Sequence, residues 1–135
     1  MSGSLTLRFL RDLLVVLGIL AVTALYVTRS LAIPWVVLGS SMKPTLQPGD
    51  RVVVDLWTYR QRPPRPGEIA LVEGLGEAPL VKRVAPGADR EHFLVLGDNE
   101  AESADSRQFG AVPRHRFRGR ILVRYWPPDR AGPIR

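Results

Sequence analysis

With no cysteine in 135 residues, a nucleophile must come from serine, threonine, lysine or a carboxylate. The first candidate is Ser41, in Gly39-Ser40-Ser41-Met42-Lys43-Pro44-Thr45-Leu46. This stretch follows a short apolar run and precedes the turn Gln47-Pro48-Gly49-Asp50. Gly39 lets another backbone approach, and Pro44 stiffens the exit. Taken alone it also reads as an ordinary glycine-serine turn. Ser40-Ser41-Met42-Lys43 spells the S-x-x-K pattern of penicillin-recognising enzymes. Pro44 disfavours the helical conformation that pattern needs at Lys43, and the chain is too short for that fold.

The second candidate is Lys82, in Leu80-Val81-Lys82-Arg83-Val84. Nineteen residues are basic but only Lys43 and Lys82 are lysines, and arginine cannot serve as a base. In an alternating strand Val81 and Lys82 face opposite ways, and a charged strand residue commonly points to solvent. Buried beside a serine, the same lysine loses its charge by desolvation and can take the hydroxyl proton.

The third candidate runs from Gly97 to Gly110, GDNEAESADSRQFG, after the apolar run His92–Leu96. It is dense in turn-forming and hydrogen-bonding residues, as a solvated acidic loop would be. Its spacing lacks the alternating oxygen ligands and closing glutamate of a calcium loop. A Ser-His-Asp triad is disfavoured, because His115 lies between Arg114 and Arg116 and His92 opens a strand after a charged turn. With two histidines and no thiols, no metal centre or cofactor is expected.

These segments need positioning elements. Leu13 to Thr28 is an uncharged apolar helix candidate flanked by Arg11 and Arg29; sixteen residues rise about 24 Å against a bilayer core of about 30 Å, a gap snorkelling arginines can bridge. It reads as a retained membrane anchor, with a cleavable signal peptide and a buried helix as competitors. Beyond Arg29 the pattern turns to β-type runs broken by proline and glycine: Trp35–Leu38, Arg51–Asp55, Ile69–Glu73, Leu80–Val84, His92–Leu96 and Arg120–Trp126. The expected architecture is therefore mainly β. An N-terminal segment with a single transmembrane helix (1–30) precedes a compact all-β domain (31–126) and a fraying tail (127–135) that starts at Pro127-Pro128. Trp57, Tyr59 and Trp126 are expected in the core. The net charge of +6 fits a domain near anionic headgroups, and nothing resembles a nucleic-acid-binding signature.

In this order, downstream of one anchor, the three segments resemble type I signal peptidase, the serine–lysine membrane protease family. Ser41-Met42-Lys43-Pro44-Thr45-Leu46 with Gly49-Asp50 is similar to the family's nucleophile motif, and Lys82-Arg83-Val84 to its general-base motif. Gly97-Asp98-Asn99, Ser103-Ala104-Asp105-Ser106-Arg107 and Phe109-Gly110 are similar to its third signature. Gly67-Glu68-Ile69 stands where the family more often has Gly-Asp, and Glu100-Ala101 replaces a usual polar pair. The likeness spans Leu13 to Trp126.

The resemblance implies Ser41 as nucleophile, Lys82 as general base and Ser103 as the serine that orients Lys82. It implies an oxyanion region at the backbone of Gly39 and Ser41; some relatives carry a hydroxyl where Gly39 stands. Arg83, Asp105 and Arg107 are implied as a structural ion-pair network. The connection from Glu73 to Leu80 leaves no room for the large extra domain of some relatives. The implied activity is removal of signal peptides from exported preproteins through an acyl-enzyme, without cofactor or metal. The implied partners are signal peptides, the lipid bilayer and, functionally, the export machinery. The implied location is the cell membrane, single-pass, with the N-terminus cytoplasmic and the catalytic domain on the exported side. A specialised sister serine–lysine maturation peptidase and a catalytically silent, membrane-anchored binding module are the alternatives.

Overall fold

Short apolar runs between proline and glycine turns place the strands, and the computed structural model, which describes residues 2–87 and 89–134, divides into two units at Leu31/Ala32. The first unit is one helix, α1 (Ser2–Leu31). Its apolar span, Leu7–Thr28, covers 22 residues, about 33 Å at 1.5 Å per residue, enough for a hydrocarbon core of about 30 Å. The span starts six residues before the expected Leu13. Leu7, Phe9 and Leu10 extend the apolar run, and the charges of Arg11 and Asp12 pair with each other at 2.8 Å.

The second unit is an antiparallel sheet with short helical turns. Its elements are β1 (Ala32–Val36), β2 (Arg51–Asp55), α2 (Thr58–Gln61), β3 (Ile69–Val72), β4 (Leu80–Ala85), β5 (His92–Leu96), α3 (Ser106–Phe109), β6 (Val112–Pro113), β7 (Phe117–Trp126) and β8 (Gly132–Pro133). The strand order is β1-β2-β7-β3-β4-β5-β6, and β8 also pairs with β7. The mainly β expectation holds. β2 and β5 match their expected bounds, while β1 starts earlier, at Ala32, and β7 earlier, at Phe117. Pro34 does not stop β1, because β1 lies at the end of the strand order and proline's missing N–H costs nothing on an unpaired side.

All four residues of β3 are buried, and they feed two cores alternately. Ile69 and Leu71 join Val37, Met42, Leu46, Val52, Val54 and Ile121. Ala70 and Val72 join Tyr59, Val84, Phe93, Val95, Val112 and Phe117. Tyr59 is in the core as expected; Trp57 and Trp126 are not, being 48% and 49% exposed. The Arg51 guanidinium lies 5.9 Å from the Trp126 ring centroid, so that ring packs under a cation at the surface.

The fraying tail is the clearest correction. After Pro127 the chain makes a short helical turn, Pro128–Arg130, and then β8, whose Gly132 and Pro133 pair with Arg124 and Val123. Ile134 packs on the first core, and Arg130 reaches the fully buried Asp50 at 2.5 Å. A buried carboxylate needs cations, and two of them come from this end of the chain.

Candidate active site

Ser41 lies in the loop between β1 and β2, and that loop is fixed at several points. Val37 and Asp50 close its base: the Val37 N–H donates to the Asp50 carbonyl at 2.9 Å and the Gly49 N–H to the Val37 carbonyl at 2.8 Å. Gly49 has φ +91°, a conformation that favours glycine. Met42 and Leu46 are buried in the first core, which turns the loop's apolar side inward and leaves Ser41 half-buried. The Asn99 N–H donates to the Ser41 carbonyl at 2.8 Å. Among the described residues no carbonyl or side chain accepts from the Ser41 N–H.

Lys82 sits in the middle of β4, directly opposite Ala70 of β3. Facing residues of an antiparallel pair share one side of the sheet, so the lysine stem lies beside the second core, next to a small side chain. It is 2% exposed. Burial therefore lowers the ammonium pKa from its ordinary value; nearby Asp105 pulls it up, and Arg107 pushes it down. The solvent-facing reading of Lys82 is excluded by this placement.

Two hydrogen bonds in series define the direction of the network. Lys82 Nζ lies 2.9 Å from Ser103 Oγ, and Ser103 Oγ donates to Asp105 Oδ2 at 2.6 Å. An ionised carboxylate only accepts, so the Ser103 proton points at Asp105 and its lone pairs face the amine. Lys82 then donates to Ser103. A neutral amine in that pose keeps its own lone pair free. Asp105 is held ionised, well below the usual carboxylate range: the Arg107 guanidinium pairs with it at 2.5 Å, and the Gly97 N–H and Ser103 hydroxyl donate to it, against the cost of burial.

Gly97 is where the segments meet. A Cβ placed on it would lie 2.1 Å from Ser103 Oγ and 2.6 Å from the Ser41 carbonyl oxygen. The absence of a side chain there lets the serine-bearing loop and the Ser103 hydroxyl close on the same backbone position. Ser41 and Lys82 are thus both attached to Ser103's surroundings, Ser41 by its main chain and Lys82 by its amine. No Ser41 Oγ to Lys82 Nζ hydrogen bond is present among the described residues.

The expected single ion-pair network is two. Asp105 pairs with Arg107, whereas Arg83 pairs with Asp98 at 2.7 Å and donates to the Gly67 carbonyl. Burial raises the Asp98 carboxyl's affinity for a proton, but hydrogen bonds from Arg83 and Thr45 outweigh it and hold the pKa low. Through Thr45 Oγ1, 2.5 Å from Asp98, this second pair also grips the nucleophile loop. Ser40, beside Ser41, donates to the Glu102 carboxylate, and Asn99 Nδ2 donates to the Ser40 carbonyl at 3.3 Å. Asp98 and Asn99 stood in the sequence within the third motif but without an assigned role, and Glu102 only as a polar loop residue. Their partners in the nucleophile loop lie 53 to 62 residues away and Arg83 lies 15 from Asp98, and only the density of hydrogen-bonding groups after β5 hinted at them. Glu68, in the divergent Gly-Glu-Ile stretch, pairs with Arg62 and Arg120.

A cleft of about 190 Å³ opens beside Ser41, with Trp35, Leu38, Gly39, Met42 and Leu80 in its wall. Gly39 is exposed and offers backbone only. Of the two histidines, His92 pairs with Asp89 at 3.1 Å, away from these residues. Among the described residues no group of three or more His, Asp or Glu side chains is arranged to hold a metal ion.

The family "Signal peptidase, peptidase S26" matches residues 10–89 and 87–126. The chain belongs to the signal peptidase family. It is similar to signal peptidase I of Leptolyngbya laminosa, 30% identical over 87% of this chain and 80% of that protein. Probable signal peptidase I-2 of Synechocystis is 31% identical over 70% of this chain and 63% of its own length. The mitochondrial ATP-independent inner membrane protease subunit 1b of Arabidopsis thaliana is 30% identical over 71% of each. The expected resemblance to type I signal peptidases holds. As a member of this family the chain is a serine peptidase, a hydrolase, with an N-terminal membrane-spanning helix.

Proposed function

We propose that this signal peptidase cuts signal peptides from exported preproteins with Ser41 as nucleophile and Lys82 as general base. The observation that carries the reading is the buried Lys82 amine, hydrogen-bonded to Ser103 beside the Ser41 main chain. In its neutral form, which burial favours, Lys82 takes the Ser41 hydroxyl proton as Ser41 Oγ bonds to the scissile carbonyl carbon. The Ser41 N–H, which meets no acceptor among the described residues, donates to the oxyanion. Gly39 carries no hydroxyl and so adds no side-chain donor at that position. The Lys82 ammonium then protonates the departing amine, leaving an ester on Ser41. A water gives its proton to Lys82, attacks the ester, and the proton returns to Ser41 as the signal peptide leaves with a new carboxylate.

Ser103 holds Lys82 in this pose. Asp105 with Arg107, and Arg83 with Asp98, hold the loops that carry the reacting groups. An extended substrate fits against the free edge of β1, adding a strand, with its small residues near Gly39 in the cleft beside Ser41. Arg8 and Arg11, in the N-terminal turns of the apolar span, favour a cytoplasmic N-terminus, which puts the peptidase unit on the exported face beside the lipid and downstream of the export machinery.

The test is cleavage of a preprotein with small residues before its junction, in detergent or liposomes, by wild type, Ser41→Ala and Lys82→Met. Cutting at the junction by wild type alone is the expected result; equal cutting by Ser41→Ala overturns the nucleophile assignment. The likeness to the Arabidopsis inner membrane protease favours, as a second reading, a specialised maturation peptidase. That reading predicts cutting of a restricted set of precursors and failure on generic preproteins. A silent binding module predicts no turnover by a folded wild type.

A further inference from the structure

Asp50 is fully buried nine positions after the proposed nucleophile, and its carboxylate is bonded by three residues. Arg124 Nη1 lies 3.1 Å from Asp50 Oδ2, Arg130 Nη2 lies 2.5 Å from Oδ1, and the Gln47 N–H donates to Oδ2 at 2.9 Å. The two arginines are tied to each other: Arg124 Nε donates to the Arg130 carbonyl at 2.6 Å. Arg124 Nη1 also donates to the Thr45 carbonyl at 2.9 Å. Thr45 is one of the residues through which Asp98 grips the same loop. The far side of the nucleophile loop is therefore bonded to Arg124 of β7 and to Arg130 of the turn after it, and β8 and Ile134 dock that turn on β7 and the first core.

We propose that residues 127–134 form a strap that sets the nucleophile loop, with Arg130 as its positioning residue. The geometry makes the dependence specific. Without Arg130, the buried carboxylate keeps one cation, Arg124, which must then serve Asp50 alone and release Thr45. The loop loses the main-chain anchor at Thr45, four residues from Ser41, while the contacts at Asn99, at Asp98 and at the loop's base remain. The wall of the cleft beside Ser41 contains none of Asp50, Arg124 or Arg130. Substrate binding is consequently spared, and the loss appears in the chemical step.

The strap rests on Ser41 being the nucleophile, so the experiment carries a control for each. Full-length wild type, Arg130→Ala, Arg130→Lys, Asp50→Asn, the Asp50→Asn/Arg130→Ala double variant and Ser41→Ala are purified in one detergent. Steady-state cleavage of a peptide spanning a signal junction is measured for each, with a thermal melt to fix the folded fraction. The expected result is a roughly tenfold fall in kcat per folded Arg130→Ala molecule at unchanged KM, with partial recovery in Arg130→Lys. In the Asp50→Asn background, removing Arg130 is expected to cost little more. A kcat per folded molecule within twofold of wild type for Arg130→Ala overturns the strap, as does equal loss from Arg130→Ala with and without Asp50. If Arg130→Ala does not fold, the same twofold criterion is applied to Arg130→Lys, which keeps the charge but loses the planar fork. Activity in Ser41→Ala would instead remove the nucleophile reading itself.

Discussion

Replacing Asp105 by Asn separates the electrostatic part of the Lys82 environment from its burial. The series of hydrogen bonds, 2.9 Å from Lys82 to Ser103 and 2.6 Å on to Asp105, keeps the carboxylate oxygen within reach of the amine. At a separation of about 5 Å and an effective dielectric constant of about 20, a unit charge contributes about 3 kcal/mol, or roughly two pH units. In wild type that charge pulls the lysine pKa up against burial, and Arg107 pushes it down. Asn removes the upward pull and leaves the other two. The Lys82 ammonium therefore loses its proton more readily, and the acid limb of kcat/KM moves to lower pH by one to two units. The plateau is expected to fall about tenfold, because Asn is a weaker acceptor for Ser103 and Lys82 is held less firmly. The assay is kcat/KM for a junction peptide across the pH range where full-length enzyme stays folded by circular dichroism. An acid limb that stays in place, or moves to higher pH, refutes the assignment of that limb to Lys82 under the influence of Asp105.

Lys82→Met keeps a buried side chain of similar length without an amine, so the fold should persist while the rate drops by about a hundredfold to ten-thousandfold; a junction-peptide assay with a melt as control checks both. Gly97→Ala forces a methyl group to within 2.1 Å of Ser103 Oγ and 2.6 Å of the Ser41 carbonyl. A destabilisation of about 1–3 kcal/mol by urea unfolding is expected, together with loss of cleavage. Asp98 and Asp105 are both held ionised in the folded protein, so their stabilisation is complete above the unfolded carboxylate pKa of about 4 and disappears as pH falls toward their folded values. The urea midpoint should drop on acidification below about pH 4, and Asp98→Asn should flatten that drop.

The elements that the sequence made legible are those whose information is local. β2 and β5 follow from short apolar runs, and the turns between them from proline and glycine. The anchor follows from an unbroken apolar run, although its start was hidden by Arg11 and Asp12, which neutralise each other. Residues Ser41, Lys82 and Ser103 were legible as an ordered set of motifs, and the fold brings Ser103 to both of the others. What stayed hidden is tertiary. Nothing in Leu80–Val84 says which face of β4 is inside; Ala70, on another strand, decides it. Arg83 finds Asp98 rather than the Asp105 pair because β4 and β5 adjoin, with Arg83 opposite Leu96 near the end of β5. Arg130 looked like tail because its partner, Asp50, is eighty residues earlier. β6 and β8 are two residues each, too short for any periodic signal.

The central place of β7 in the sheet has a consequence for how such a peptidase can vary in length. The hairpin that carries Lys82 and the hairpin that leads in and out of the Ser41 loop never pair with each other; each pairs with β7. Their relative position is thus a property of one ten-residue strand rather than of the turns at their tips. The far end of the β3–β4 hairpin is pinned where the Glu73 N–H meets the Arg116 carbonyl at 2.9 Å and the Glu73 carboxylate meets Arg118. Residues inserted between 74 and 77 would extend beyond that pin. Each doubling of such a loop costs only about 0.6 kcal/mol in closure entropy. The turn can accordingly grow into a substantial outgrowth while serine and lysine keep their separation, which makes it the natural place for a longer member of the family to carry its extra residues.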